Sequence, residues 1–522
     1  MLSGYDIFLP VVWLLVAAGI VLLIDLFSED ADRQAMPVFF TALGGVLLSF
    51  VSLNPYWDAR PVLVMRGAML IDQFAAYLVT AILTGTAVSM FASISYVRRI
   101  GISFTDFCCT LLLAATGMVL LVVSNDLIML FLSIELLSFA VYVLTGLRGN
   151  SSKSAEGAMK YFIMGAMASG VMVMGMAALY GVTGEVALRP LGEQLVEVFR
   201  NSPDASGGDA RYMATLGMGS VLIAFAFKVG AVPFHSWVPD AYEGAPTTVT
   251  GFMAVAVKAA AFGALIRIAV TVFPDVPLHG QFSGNFGWAT YALWALSAMS
   301  MILGNWFAIS QRNIKRMLAY SSIAHSGYLL MGLAAAGGRT EAYAAVLFYL
   351  LTYTLMTSGA FAMLVYASSH GKDVEEIDDL RGLAWKKPAV GICLAIFMFS
   401  LAGIPLTGGF MGKYFVFSQA VYAGGPFLSL AIIGIGSSIV GSYYYLRVVA
   451  VTYFKEADDK PMHGREDWGI KFAISVTVFG TVALGVFPQM FYDGAKSSVK
   501  QLREEAPMVV SAPVKPPEVV AK

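Results

Sequence analysis

Long apolar stretches separated by short polar loops run almost the full length of this chain. A bilayer crossing needs about 20 mainly apolar residues. On that ruler the pattern predicts about 14 spans, over residues 7–27, 36–53, 70–97, 107–124, 126–147, 159–181, 212–238, 246–273, 288–309, 314–336, 341–368, 388–422, 426–454 and 469–490. The predicted fold class is therefore an all-α polytopic membrane protein. Several stretches exceed the length a bilayer requires, which leaves room for tilt or a break. The run that begins near Ile7 has no basic region before it and no small-residue cleavage site before Asp25, so it predicts a first span and not a removable leader. Past Tyr492 the chain becomes polar and proline-rich, ending SAPVKPPEVVAK, which predicts a flexible tail over 491–522.

Two spans carry their own interruptions. The seventh reads AFAFKVGAVPFHSWVPD, with Gly230 and Pro233 just after Lys228. The twelfth reads SLAGIPLTGGFMGK, with Gly403, Pro405, Gly408, Gly409 and Gly412 leading into Lys413. Proline removes a backbone donor and glycine weakens a helix, so both segments are expected to unwind. Unwound backbone survives at membrane depth only where it is buried in protein or lines a cavity. A single proline kink needs no function, but two breaks, each beside a lysine and in different halves of the chain, predict a repeated unit with a mid-membrane site.

Ionisable residues inside apolar runs are the candidate chemistry. Glu135, Lys160, Lys228, Lys258 and Lys413 interrupt such runs, and His235 and His325 add two imidazoles. Each charge at the bilayer centre costs at least about 2.5–3.5 kcal/mol, so such residues are retained where they pair or line a wet path. Lys258 is too deep to reach a surface. Lys160 begins its span and could instead extend to the interface. The histidines are as well explained by packing as by proton relay, since a neutral imidazole satisfied by hydrogen bonds is common in cores. Arg267 and Arg447, near span ends, read as interfacial anchors. A poorly solvated amine holds its proton weakly and a nearby carboxylate strengthens the hold. A buried acid–lysine pair is thus a proton site whose affinity changes when the partner moves.

Composition narrows the class further. Hydrophobic residues make up 58% of the chain and charged residues only 13%, with mean hydropathy +0.73, against roughly 25% charged in soluble domains. A formal net charge of −1 offers no basic face for nucleic acid. Cys108, Cys109 and Cys393 have neither disulfide nor metal-cluster spacing. There is no dinucleotide fingerprint, and GGFMGKY fails as a phosphate loop because Tyr414 stands where a Ser or Thr would hold the metal. Basic residues set the orientation. Arg98, Arg99, Arg148, Lys153, Arg312, Lys315, Arg316, Lys386 and Lys387 share one set of loops, while the opposite loops hold Arg60, Arg66, Arg189, Arg200, Arg211 and Arg339. The positive-inside rule then predicts both termini outside, with Lys496, Lys500 and Arg503 of the tail running against it.

Certain segments also carry a resemblance. FLSIELLSFAVYVLTGL, SAEGAMKYFIMGAMASGVMVMGMAALYG, FKVGAVPFHSWVPDAYEGAPTTVTGFMAVAVKAA, RMLAYSSIAHSGYLLMG and LAGIPLTGGFMGKYFVF resemble the antiporter-like subunits of respiratory complex I, the proton-pumping NADH:quinone oxidoreductase. The match runs from about residue 70 to 450. M-type members have a glutamate at the place of Lys413 and L-type members a long lateral helix, so the resemblance is to the N type. It implies 14 helices in two inverted five-helix repeats, each with a broken helix: N-terminal helices over 1–106, repeats over 107–273 and 288–454, a last helix over 469–490, then the tail. It implies a Glu135–Lys228 pair, Lys258 as central relay and Lys413 as terminal lysine, with Lys160, His235 and His325 as further candidates. No cofactor or metal is expected in this chain, whereas NAD, FMN, iron–sulfur clusters and quinone belong to partner subunits. The expected partners are a neighbouring antiporter-like subunit and small membrane subunits in a bacterial inner membrane. The function implied is proton translocation coupled to quinone reduction elsewhere in the complex. A subunit of a multi-component sodium/proton antiporter, a stand-alone secondary transporter, or a scaffold whose charges only hold helices together remain the alternatives.

Overall fold

The computed structural model describes residues 9–27, 31–58, 60–201, 208–272, 287–368, 373–456, 467–504 and 508–509. In chain order it contains α1 (Leu9–Phe27), α2 (Ala31–Val51), α3 (Asn54–Asp58), β1 (Val62–Val64), β2 (Met69–Ile71), α4 (Gln73–Ser93), α5 (Tyr96–Arg99), α6 (Phe104–Val123), α7 (Leu127–Gly146), α8 (Ser152–Thr183) and α9 (Leu188–Asn201). There follow α10 (Gly208–Val229), α11 (Trp237–Gly244), α12 (Thr247–Phe252), α13 (Lys258–Thr271), α14 (Gly287–Ser310), α15 (Ile314–Ala334) and α16 (Thr340–Ala367). The last elements are α17 (Leu383–Lys386), α18 (Pro388–Ala402), α19 (Gly408–Ala423), α20 (Gly425–Phe454), α21 (Trp468–Val486), α22 (Pro488–Glu504) and β3 (Met508–Val509).

Among the described residues, 12 helices are long and apolar enough to cross a membrane. Two predicted stretches fall outside that set. The tenth is α15, which carries Lys315, Arg316 and His325, and the twelfth is divided between α18 and α19. A helix satisfies its own backbone only between its ends, so the ends must be closed by other groups where lipid replaces water. Polar side chains at the loop boundaries do this. Asp72 accepts from the amide of Ala75 at 2.7 Å, Asp126 from Met129 at 2.6 Å and Asn313 from Arg316 at 3.1 Å.

Burial sorts the helices into an inner and an outer set. The central window of α16 is 94% buried and that of α12–α13 is 89%, whereas those of α1 and α20 are 28%. Apolar residues on α1, α8 and α20 thus face outward over most of their surface, as a lipid-exposed rim should. The inner helices α12, α13, α15 and α16 pack on one another and carry the buried polar residues.

The tail departs from the prediction. Residues 488–504 form α22, whose Ala495, Ser498, Val499 and Leu502 are buried. The helix packs against α4 and α16, and Gln501 accepts from the amide of Gln73 at 2.8 Å. The amphipathic spacing of those four residues supplies the missed signal. Met508–Val509 then pairs in parallel with β1, giving the strand order β2-β1-β3. The proline-rich end, 510–522, lies outside the described residues.

Candidate functional site: a buried row of lysines and histidine

The first break places Lys228. Helix α10 stops at Val229, and Gly230 takes φ +70°, a conformation that costs glycine little. The amide of Ala231 donates back to the carbonyl of Ala226 at 2.8 Å, closing the helix end. Lys228 therefore sits on the last turn, buried, with Nζ donating to Ser138 Oγ at 2.5 Å. The rings of Tyr142, Tyr161 and Phe227 lie 5.6–5.8 Å from the same nitrogen and favour a cation there.

Among the described residues Glu135 makes no ion pair within 4.0 Å with Lys228, although its carboxylate lies near enough to act on the ammonium electrostatically. Its carboxylate accepts a hydrogen bond from Ser169 of α8. Ser138 follows it by three residues on α7 and so shares its helix face. The acid and the lysine are thus linked along one face of α7, with the Ser138 hydroxyl as the group that meets the ammonium.

Lys258 opens α13 immediately after a π-helical turn over Met253–Val257, in a stretch predicted as plain helix. Its Nζ donates to the carbonyl of Ser322 and, at 2.7 Å, to Ser326 Oγ. Ser326 in turn donates to the carbonyl of Val229, the residue after Lys228, at 2.6 Å. One serine on α15 therefore bridges the two lysine positions.

His325 is the neighbour of that serine and is fully enclosed. Its Nδ1 lies 2.6 Å from the Tyr349 hydroxyl and its Nε2 3.1 Å from that of Tyr445, which also meets Ser321. Tyr328, one turn along, presents its ring 5.3 Å from Lys413 Nζ.

Lys413 ends the row. Helix α18 stops at Ala402, Gly403 adopts φ +89°, and the chain re-enters helix only at Gly408. A Cβ on Gly409 would fall 1.9 Å from the Ser400 carbonyl oxygen, so only glycine lets the two half-helices approach this closely. Lys413 Nζ donates to the carbonyls of Leu401 and Ala402 and to Ser438 Oγ, each at 2.9 Å. Those carbonyls are the unpaired C-terminal groups of α18, the negative end of its dipole. A cavity of about 670 Å³ opens beside them, walled mainly by apolar residues such as Phe410, Phe417, Ile435 and Ile439, with Lys413, Ser438 and Ser442 as its polar members.

Two sequence candidates fall outside the row. Lys160 is exposed and pairs with Glu156 at 2.6 Å and Asp240 at 2.8 Å. Asp240 also binds Arg316, which reaches Glu243, and Lys153 joins Glu243 to Glu375. On α11, burial pushes the Asp240 and Glu243 carboxyls up, but their cationic partners outweigh it and hold both below the usual range. His235 lies in the first break, half-buried, and its Nδ1 finds no hydrogen-bond partner among the described residues.

Sequence reading missed the tyrosines and serines of the row. The segment SSIAHSGY places Ser322, His325 and Ser326 at three- and four-residue spacing on α15, a signal that is present in the chain. Tyr349, Tyr353 and Tyr445 carry none, since a tyrosine in an apolar run reads as packing. Arg267 is not the interfacial anchor that its place in the span predicts. It is 1% exposed and grips Asp72 through two hydrogen bonds of 2.9 and 3.0 Å, with Val122 accepting from Nε at 3.1 Å.

The model of the family described as NADH:quinone oxidoreductase/Mrp antiporter, TM, matches residues 124–439, a stretch that contains Glu135, His325 and the three lysines of the row. The chain belongs to this family. NADH-quinone oxidoreductase subunit N of Trichlorobacter lovleyi is 35% identical over 500 residues, covering 95% of this chain and 97% of the relative. A chain of respiratory complex I from Thermus thermophilus is 30% identical, with TM-score 0.75 over 93% of this chain and 98% of its own length. A chain of the Mrp complex from a Dietzia species has TM-score 0.79 over 96% and 98% but only 20% identity, a likeness of fold alone. The family expected from the motifs is thus the family found.

Proposed function

We propose that this chain is the N-type membrane subunit of a bacterial NADH:quinone oxidoreductase and translocates protons along the buried row, driven by quinone reduction in partner subunits. One observation carries the residue-level reading: buried polar and aromatic side chains line the core between three separated lysines. Ser326 joins the Lys228 end to Lys258, His325 and its tyrosines continue the row, and Tyr328 faces Lys413. Neutral lysine accepts a proton, ammonium donates one, and the serine and tyrosine hydroxyls can do both. Histidine can serve as the exchanger between the two lysine ends.

The roles follow from position. Glu135 and Lys228 form the receiving end, Lys258 and His325 the central relay, and Lys413 the terminal site beside the open cavity. Lys160 and His235 act, if at all, outside the row. NAD, FMN, iron–sulfur clusters and quinone reside in partner subunits, and the neighbours in the membrane are another antiporter-like subunit and small membrane subunits. The basic loops face the cytoplasm and both termini lie outside. Residues 107–273 and 288–454 form two inverted five-helix units, each broken beside its lysine. The sodium/proton antiporter alternative shares the fold, but the identity to the complex I chain supports the oxidoreductase.

Purification of the tagged chain from native membranes tests the assignment. Flavin and iron–sulfur proteins in the same complex, with proton uptake into vesicles on NADH addition, are expected. A chain that purifies alone overturns it.

A double-mutant cycle tests the receiving end. Glu135→Gln and Lys228→Met are each expected to lower the pumping rate, and the double variant to lose less than the two losses combined. Ser138→Ala should weaken the coupling between them. Strict additivity would mean that Glu135 and Lys228 act independently.

A further inference from the structure

Lys160 stands outside the row, yet the contact it makes lies on the seam that encloses Lys228. Helix α11 packs on α8 with almost no space between the two backbones. A Cβ on Gly157 would fall 2.7 Å from the Asp240 carbonyl oxygen, and one on Gly244 2.3 Å from that of Lys153. Two adjacent residues of α8 close this seam. Lys160 pairs with Asp240 at 2.8 Å on the exposed side. Tyr161, fully enclosed, stacks on Trp237 with ring centres 4.0 Å apart and planes 4° from parallel. Trp237 and Asp240 are three residues apart on α11 and so share a face.

The rings continue inward to the lysine. Tyr161 meets Tyr142 edge-on with centres 4.6 Å apart, and Trp237 lies 5.3 Å from Phe227 while its Nε1–H donates to the Phe227 carbonyl at 3.1 Å. Gly165 of α8 makes room for Tyr142, since a Cβ there would fall 1.9 Å from the hydroxyl oxygen. Tyr142, Tyr161 and Phe227 are the three rings around the Lys228 ammonium, and Trp237 touches two of them. The Tyr161 hydroxyl has no hydrogen-bond partner among the described residues, so the ring is what this tyrosine contributes.

We propose that α11 is a clasp on α8 that holds an aromatic cage around the Lys228 ammonium, with Trp237 and Lys160 as its positioning residues. The inference rests on the relay reading above and adds what sets the proton affinity of its receiving lysine. Ring faces attract the ammonium and not the neutral amine, so an intact cage favours the loaded form. An exposed ion pair contributes little and an enclosed stack more, so Trp237 bears most of the clasp and Lys160 trims it. Other titratable side chains also surround Lys228: Glu135 on α7, His235 in the break that follows, and Lys258 on α13, reached through Ser326 of α15. Asp240 and Glu243 of α11 are held by Lys160, Arg316 and Lys153. All of these stay the same in the ring variants, so a shift in those variants reads the rings.

NADH-driven proton uptake into vesicles, followed against pH in assembled complex normalised to bound flavin, tests the cage. In Tyr161→Leu the ring is gone and Lys228 should hold its proton about fivefold less tightly. The amine then fails to load at a lower pH, and the alkaline limb of the profile moves down by about 0.7 pH unit, equivalent to about 1 kcal/mol. Tyr161→Phe, which keeps the ring and drops only the unpartnered hydroxyl, should restore the wild-type profile. Trp237→Leu leaves all three cage rings but loosens their support, and should move the limb the same way by a smaller step. Trp237→Phe, which still stacks, should restore most of it. Lys160→Met should move it least, because Asp240 keeps Arg316. Where Tyr161→Leu does not assemble, Trp237→Leu decides. An unmoved profile in the Leu variants overturns the cage. So does a Tyr161→Phe complex as impaired as Tyr161→Leu, which would make the hydroxyl the working part. If Lys228→Met still lowers pumping in those cases, the relay stands without its cage. If Lys228→Met pumps normally, the relay reading fails and the cage with it.

Discussion

Lys258→Met should leave the complex assembled and remove most of its proton pumping, together with the quinone reductase activity coupled to it. Methionine nearly matches the length and apolar stem of lysine, so packing around α13 is preserved. What disappears is the ammonium that binds the Ser322 carbonyl and Ser326 Oγ. Ser326 keeps its bond to the Val229 carbonyl, so the variant is not left with an orphaned serine. Moving one charge against 100 mV costs about 2.3 kcal/mol, and without Lys258 the centre loses the amine that is loaded on one side and emptied on the other, leaving only His325 there. Lys258→Arg should fail as well, because a guanidinium does not release its proton. Proton uptake into vesicles, measured at matched complex content, decides it. Full pumping by an assembled Lys258→Met complex would remove Lys258 from the relay.

The parts of this architecture that are legible in the sequence are those fixed by local chemistry. Apolar length marks the spans, and Gly230, Pro233, Gly403 and Pro405 mark the breaks because glycine and proline act on their own backbone. Lys228, Lys258 and Lys413 stand out because a charge in an apolar run has few explanations. What fails to show depends on distant contacts. That the Lys228 ammonium donates to Ser138 and not to Glu135 depends on how α7, α8 and α10 pack, which no spacing encodes. The π-helical turn before Lys258 uses residues indistinguishable from those of plain helix. Lys160 begins its span and reads either way in the sequence, and Asp240, 80 positions away, decides for the surface. Tail residues 491–504 look too polar to matter because their buried face has only Ala495, Val499 and Leu502 as apolar members.

The same dependence on distant contacts hides the most consequential ion pair, and its removal should be the most damaging structural change. Arg267 and Asp72 are almost wholly enclosed and joined by two hydrogen bonds. The pair ties α13, which begins at Lys258, to the start of α4, and Phe74 places its ring 5.1 Å from the guanidinium. Desolvating two charges costs several kcal/mol per ion, which their attraction and hydrogen bonds offset only while both are present. Arg267→Met therefore leaves a buried carboxylate whose remaining partner is the Ala75 amide, a loss of about 3–5 kcal/mol. That is a large fraction of the stability of most domains, so the variant should be nearly absent from assembled complexes. The double change Asp72→Asn/Arg267→Met removes both charges and leaves a side-chain amide oxygen that still caps α4. It should recover much of the complex that the single change loses. Immunoblots of membranes for this chain, beside the flavin content of purified complex, measure both effects. Normal assembly of Arg267→Met would show that the pair bears little of the fold. A double variant no better than the single one would mean that the arginine acts through Val122 and Phe74, and not through its charge.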